Sequence, residues 1–176
     1  MMRYLILGIG LVLFFMEPVF GLFSPLKLGG EYYYIVPRFL IMFLIFVSVY
    51  FDTKHAMYYG LFFGLLYDVF FIDIIGLYSF LYPAICVVAG YTVKTVQRNL
   101  FVATLLTLVL TALFEFVLYQ FFTLISLTDV PAGTFLATRL WPTMIANSLF
   151  LFVLGWAFKS VIVGRLIERE KNPSAY

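Results

Sequence analysis

Polar residues interrupt this chain so rarely that the apolar runs between them set its organisation. Six runs can be read, over 3–23, 36–51, 56–72, 74–93, 100–126 and 139–163. A helix crossing a bilayer needs about 20 mostly apolar residues, and shorter or longer ones are accommodated by thinning or tilt. The breaks are equally legible. From Ser24 the chain reads as a loop, with Pro25, Gly29-Gly30 and the cluster Tyr32-Tyr33-Tyr34, tyrosines of the kind found at headgroup level. Asp52-Thr53-Lys54-His55 and Lys94 to Asn99 read as polar turns, and residues 127–138, with Asp129, Pro131 and Gly133, as a loop. Residues 164–176 read as a short charged tail. Pro18 and Pro83 fall inside runs and predict kinks, whereas Pro37 and Pro142 suit helix first turns. The first run has a basic front, Arg3, but ends Gly-Leu-Phe-Ser-Pro, without a small-residue cleavage site, and reads as a retained helix.

Composition makes this reading firm. Of 176 residues, 64% are hydrophobic, 21% aromatic and only 11% charged, against about a quarter charged in soluble domains. Too little polar surface exists to coat a soluble particle, so the expected fold is an all-α integral membrane protein of six transmembrane helices in one domain. The net charge of +2 argues for no anionic partner, and no basic patch suits nucleic acid. Cys86 stands alone and His55 is the single histidine, which leaves no disulfide framework and no metal site of several histidines or thiols. No cofactor is expected.

Lysine and arginine placement sets the orientation. With the N-terminus inside, Arg3, Lys54, Lys94, Arg98, Lys159, Arg165, Arg169 and Lys171 collect on the cytoplasmic side, and Lys27, Arg38 and Arg139 outside. Both termini are therefore expected in the cytoplasm. The basic cytoplasmic turns could serve contact with anionic lipid or a filament; ordinary positive-inside bias explains them as well.

That orientation gathers the intramembrane charges. At about 1.5 Å per residue, Asp68 lies roughly 20 Å from the cytoplasmic start of its helix, and Glu17 and Glu115 come to similar depths. Arg38 and Arg139 open the second and sixth helices on the outer side. Charges inside a membrane pair with one another or mark function, so a cluster is expected in which Arg38 and Arg139 neutralise some of Asp68, Glu115 and Glu17. The alternative for the two arginines is to snorkel to headgroups, and Glu17, beside Pro18, could lie at the water boundary. Gly60, Gly64 and Asp68 fall on one helix face. Gly60-x-x-x-Gly64 is a close-approach pattern that either packs on a neighbouring helix of this chain or receives a partner's helix.

Catalysis is not expected. Paired aspartates must share a proton, yet Asp68 and Asp73 are splayed by about 140° on a helix. His55 sits at the opposite edge from the acids, and no glycine-rich phosphate loop is present.

The run Tyr59-Gly60-Leu61-Phe62-Phe63-Gly64-Leu65-Leu66-Tyr67-Asp68 followed by Gly76-Leu77-Tyr78 resembles the signature region of the rod shape-determining MreD family. Val36-Pro37-Arg38-Phe39-Leu40 and Lys54-His55-Ala56-Met57 resemble the forms in rod-shaped Gram-positive bacteria of the Bacillus type, and Leu113-Phe114-Glu115-Phe116 in the fifth run agrees. The resemblance covers essentially the whole chain and is most specific over 37–78. It implies a non-enzymatic cell-membrane subunit of the wall-elongation machinery, associated with the single-span protein MreC and with MreB filaments, RodA and a class B penicillin-binding protein. It further implies a fold similar to the substrate-binding subunits of energy-coupling-factor transporters, an analogy that does not settle function. On this resemblance the face formed by Asp68, Gly60 and Gly64, with Arg38, Glu115, Arg139 and Glu17, is expected to shape an outer cavity or groove. Its occupant would be either MreC or, in the alternative function of a solute- or vitamin-uptake subunit, a small ligand or lipid-linked precursor.

Overall fold

The computed structural model describes the backbone of residues 2–95 and 99–171. Of the basic residues assigned above to the cytoplasm, Arg98 lies outside the described residues, as do the side chains of Arg3, Lys94, Arg165, Arg169 and Lys171 and the end of the tail, 172–176. The described chain is mostly helical: α1 (Met2–Gly21), α2 (Phe39–Tyr50), α3 (Thr53–Tyr67), α4 (Leu77–Thr95), α5 (Leu100–Leu124), the single turn α6 (Ala132–Phe135) and α7 (Trp141–Lys171). Four helical stretches are long and apolar enough to cross a membrane, Tyr4–Gly21, Thr53–Ile72, Leu100–Leu124 and Ala132–Gly164; Phe39–Tyr50 and Leu77–Val93 are apolar but shorter.

Every residue of α2 is buried. A helix that is apolar all round has no face for solvent, and α1, α3, α4, α5 and α7 all pack on this one. It is the axis of the bundle. The tightest lateral pair is α3 on α4, and the glycines explain it. A Cβ at Gly64 would lie 2.5 Å from the Tyr78 carbonyl oxygen and 2.6 Å from Ser79 Cα, and one at Gly60 would lie 3.1 Å from the Pro83 nitrogen. The neighbours are backbone atoms that cannot step aside, so only glycine lets the two helices approach this closely.

Several stretches differ from the expectation. Residues 36–38, with Pro37 expected in a helix first turn, precede α2 without helix, and Thr53 to His55, read as part of a polar turn, open α3 behind the cap Asp52. Residues 26–33 form a small antiparallel hairpin, Leu26–Leu28 (β1) with Glu31–Tyr33 (β2), Leu28 opposite Glu31. Gly29 and Gly30 both have positive φ, +61° and +94°, as a two-residue hairpin turn requires. Within 127–138, read as loop, α6 runs into a π turn at Leu136–Leu140 that leads directly to α7. The segment from Gly164, read as a tail, continues α7 as helix to Lys171. Gly-Gly was a turn signal in plain view; the helical continuations were hidden by Gly133, Pro131 and the charges, which suggest breaks they do not cause.

Candidate functional site: a buried polar floor

Among the described residues, the buried charged side chains, Glu17, Arg38, Asp68 and Glu115, lie at one end of the bundle, where α1, α3 and α5 finish and α2, α4 and α7 begin. A helix start leaves backbone N–H groups unpaired and carries partial positive charge. Two such starts are buried here, and each is answered by a carboxylate from another helix.

The start of α4 is held by Asp68. The π turn Asp68–Ile72, then Asp73 at φ 57° and Gly76 at φ 114°, fold the chain back on itself. Asp68 Oδ1 accepts the Tyr78 N–H at 2.7 Å; Oδ2 accepts those of Gly76 at 2.9 Å and Ser79 at 3.1 Å. Gly76 occupies the cap position and has no side chain to do this itself. Asp68, fully buried, caps a helix it does not belong to. Asp73 is left in the turn, in the left-handed region that aspartate tolerates better than most residues.

The start of α2 is held from two sides. Glu17 Oε1 accepts the Leu40 N–H at 2.7 Å and Asn147 Oδ1 accepts the Arg38 N–H at 3.1 Å. Asn147 also donates to the Val36 carbonyl at 3.1 Å, and Thr143, one turn earlier on α7, accepts the Val36 N–H and donates to the Tyr34 carbonyl. The strand-like stretch 34–38 is thus laid along α7, its backbone paired through side chains. Thr143 was not singled out from the sequence. Its signal was the spacing of four in Arg139, Thr143 and Asn147, which sets small polar groups along one helical face.

Between these caps lies the ion network. Arg38 Nε is paired with Glu115 Oε1, and its Nη1 donates to the Tyr78 hydroxyl at 3.3 Å. The guanidinium also lies over the rings of Phe114, 5.1 Å from the centroid, and Tyr78, 5.8 Å. Arg139, set by the π turn, reaches Glu115 Oε2 with Nη2 at 3.4 Å. The Glu115 and Arg38 side chains are almost wholly buried, that of Arg139 40% exposed. Thr107 and Thr111, each returning its hydroxyl to the carbonyl four residues back, extend Glu115 into a polar stripe along α5. Beside the Glu115–Arg139 pair is a cavity of about 330 Å3 with both residues in its lining.

The structure therefore brings Arg38, Glu115 and Arg139 together and sets Glu17 against the start of α2. Asp68 is not part of that ion network: backbone amides, not arginine, meet its charge. The groove expected along Gly60, Gly64 and Asp68 is likewise corrected, because α4 of this chain fills it. A partner's helix finds no space there. Among the described residues no three histidine, cysteine, aspartate or glutamate side chains are grouped to hold a metal ion, and His55 pairs with Asp52 at 2.7 Å on the far end of the bundle.

Fold and site together define a helical, multi-pass membrane protein whose buried charges join helix ends and helices. The family described as rod shape-determining protein MreD matches residues 1–160, and the chain belongs to that family. It is 30% identical over 159 residues to the rod shape-determining protein MreD of Bacillus subtilis (strain 168), covering 90% of this chain and 92% of that one. It is 29% identical over 126 residues to the cell shape-determining protein MreD of Streptococcus pneumoniae (strain ATCC BAA-255 / R6), covering 72% and 77%. No solved structure matches the chain, so the expected likeness to energy-coupling-factor subunits gains no support from that side.

Proposed function

We propose that the protein is a non-catalytic subunit of the cell-wall elongation machinery in the cell membrane, binding MreC and, through it, joining MreB, RodA and a class B penicillin-binding protein to maintain rod shape. The observation that carries this reading is the family match over residues 1–160. The polar floor supports it: its charges are spent on helix ends and ion pairs, which makes a rigid scaffold. In this reading six segments cross the membrane. The 12 residues of α2 supply about 18 Å and the extended stretch before it about 16 Å, together close to the ~30 Å of hydrocarbon. The lysine and arginine bias then puts both termini in the cytoplasm.

With the glycine face filled, MreC needs another surface. The outer face of α7 presents Trp141, Ile145, Leu149, Phe152 and Trp156, all exposed and spaced by three or four residues, as a helix-binding stripe requires. Photo-crosslinkers placed in cells at Phe152 of α7 and, for comparison, at Phe15 of α1 test this. MreC captured from Phe152 supports the reading; its absence from both positions and from co-purification sinks it. The alternative of a solute-uptake subunit rests on the cavity beside Glu115. A deletion strain that keeps its rod shape but loses uptake of a solute would favour it.

A further inference from the structure

Two arginines share one acid in the polar floor. Arg38 Nε takes Glu115 Oε1, and Arg139 Nη2 stands 3.4 Å from Oε2. Glu17 and Asp68 are turned instead to backbone N–H groups at helix starts. The trio of Arg38, Arg139 and Glu115 therefore carries one positive charge in excess, and the excess falls on Arg139. Arg38 is enclosed, whereas the Arg139 side chain is 40% exposed. Only Nε of its guanidinium is shut away from solvent, and its approach to Oε2 is an ion pair without hydrogen-bond geometry. Among the described residues the two Nη groups are thus open and donate no hydrogen bond. Arg139 lines the cavity of about 330 Å3. Glu115 lines it too, but its side chain is 1% exposed with Oε2 enclosed. An occupant meets the base and not the acid. The hydroxyls of Tyr119 and Thr138 are spent on the Val130 and Thr134 carbonyls. The remaining wall is apolar, with Tyr119 and Phe135 stacked 4.1 Å apart and Leu118 and Phe122 beside them; Leu127 and Val130, both exposed, form its rim.

We infer that this cavity binds an anionic amphiphile, a singly charged phosphate ester or carboxylate held by Arg139 with its apolar body against the aromatic wall. The two Nη groups form a fork that matches two oxygens of such an anion. Charge sets the valence. One excess cation beside a low-dielectric wall is balanced by one negative charge; a neutral occupant would leave it unanswered and a dianion would overshoot. Apolar walls with a few fixed polar groups are the usual make-up of a ligand pocket, and the volume is at the lower end for one. Two sources offer this chemistry. One is the headgroup of an acidic phospholipid entering from the bilayer, for which a basic pocket between helices is a known receptor; the other is a free aromatic carboxylate. The site does not rest on the partner reading above.

The test uses the full-length protein purified in an uncharged detergent, with melting temperature as readout, since a ligand of the folded state raises it. The probes are short-chain phosphatidylglycerol and phenylacetate. Their controls are phosphatidylcholine of the same chain length, which has no net charge, phenethylamine, which carries the opposite charge, and sodium sulfate, which has no apolar body. At least one probe should give a saturable rise at concentrations about tenfold or more below its controls. A rise with phenylacetate identifies a free carboxylate, and a rise with phosphatidylglycerol alone a lipid headgroup. Arg139→Gln should weaken the response about tenfold. Leu127→Trp, on the exposed rim, should weaken it as well by narrowing the space while leaving the ion pairs intact, so the test survives if Arg139→Gln does not fold. No rise with either probe, an equal rise with the neutral, cationic or sulfate control, or an undiminished response in either variant overturns the inference.

Discussion

Asp68 and Glu115 are both carboxylates buried at the same end of the bundle, and they are neutralised by opposite means. Glu115 sits between two arginines. Asp68 accepts three backbone N–H groups at the start of α4, where the aligned peptide dipoles stand in for a cation. A buried acid must be answered by positive charge, but that charge need not be a side chain. The consequence differs for each. Glu115 ties α5 to the segment before α2 and to the turn before α7, so it links elements distant in sequence. Asp68 ties only its own hairpin, α3 to α4, and is sealed there by the glycine contact. Tyr78 joins the two systems, its N–H on Asp68 and its hydroxyl on Arg38.

The largest effect should come from stripping Glu115 of its buried partner. Arg38→Leu is expected to cost about 3–5 kcal/mol, because a lone buried charge is worse than a buried pair. Arg38→Leu with Glu115→Leu should recover a large part of that. The measurement is a double-mutant cycle on unfolding free energy in detergent; a double variant as unstable as the sum of the singles would mean that the pair is not coupled. Next, Asp68→Ala should cost about 2–3 kcal/mol, the scale of hydrogen bonds to a charged group, and Asp68→Asn less, since one oxygen remains. Protection of the first α4 amides from hydrogen exchange should fall in step, while the α2 amides stay protected. Equal loss at both helix starts would show that Asp68 acts through the ion network after all.

Tyr78→Phe probes the joint between the two. It removes the hydroxyl from Arg38 and leaves the N–H on Asp68, and should cost about 0.5–1.5 kcal/mol. Hydrogen exchange at the α4 start should not change. If it does, the two acids are not separable units.

What the sequence showed of this floor follows from which quantities add along a chain. Depth is additive, at a fixed rise per residue, so Arg38, Glu115 and Arg139 could be placed at one level from their positions alone. Asp68 was at that level too, but its partner was decided by a turn. The left-handed Asp73 and the positive φ of Gly76 swing the α4 amides onto the carboxylate, and such a turn leaves no periodic trace. Glu17 was ambiguous for a similar reason: Pro18 suggested the water boundary, and only packing against Leu40 puts the acid inside. The small polar residues that pair the 34–38 backbone, Thr143 and Asn147, carry no charge and so raised no alarm. The glycine spacing in α3 was visible, but not which helix would fill it.

The smallest effect belongs to a third acid that lies outside the buried floor and serves as its control. Asp52 begins α3 at the opposite end of the bundle, accepting the His55 N–H at 2.8 Å and meeting the ring Nδ1 at 2.7 Å. It is the ordinary cap of which Asp68 is the buried form, but its side chain is 44% exposed. The His55 backbone N–H, and then its ring, hold the Asp52 carboxyl below its usual value of 3.8. A lowered pKa in the folded state means that the contribution is complete above that usual value and disappears as pH falls through the folded one. Asp52→Ala should therefore cost at most about 1 kcal/mol near neutrality, and the gap to wild type should hold above the usual carboxylate value of 3.8 and close as pH falls below it. Melting curves of the two proteins across that range provide the measurement. A gap that persists undiminished in acid would show that Asp52 holds α3 by packing and not by charge, and the contrast between an exposed cap and the buried one at Asp68 would fail at its simplest point.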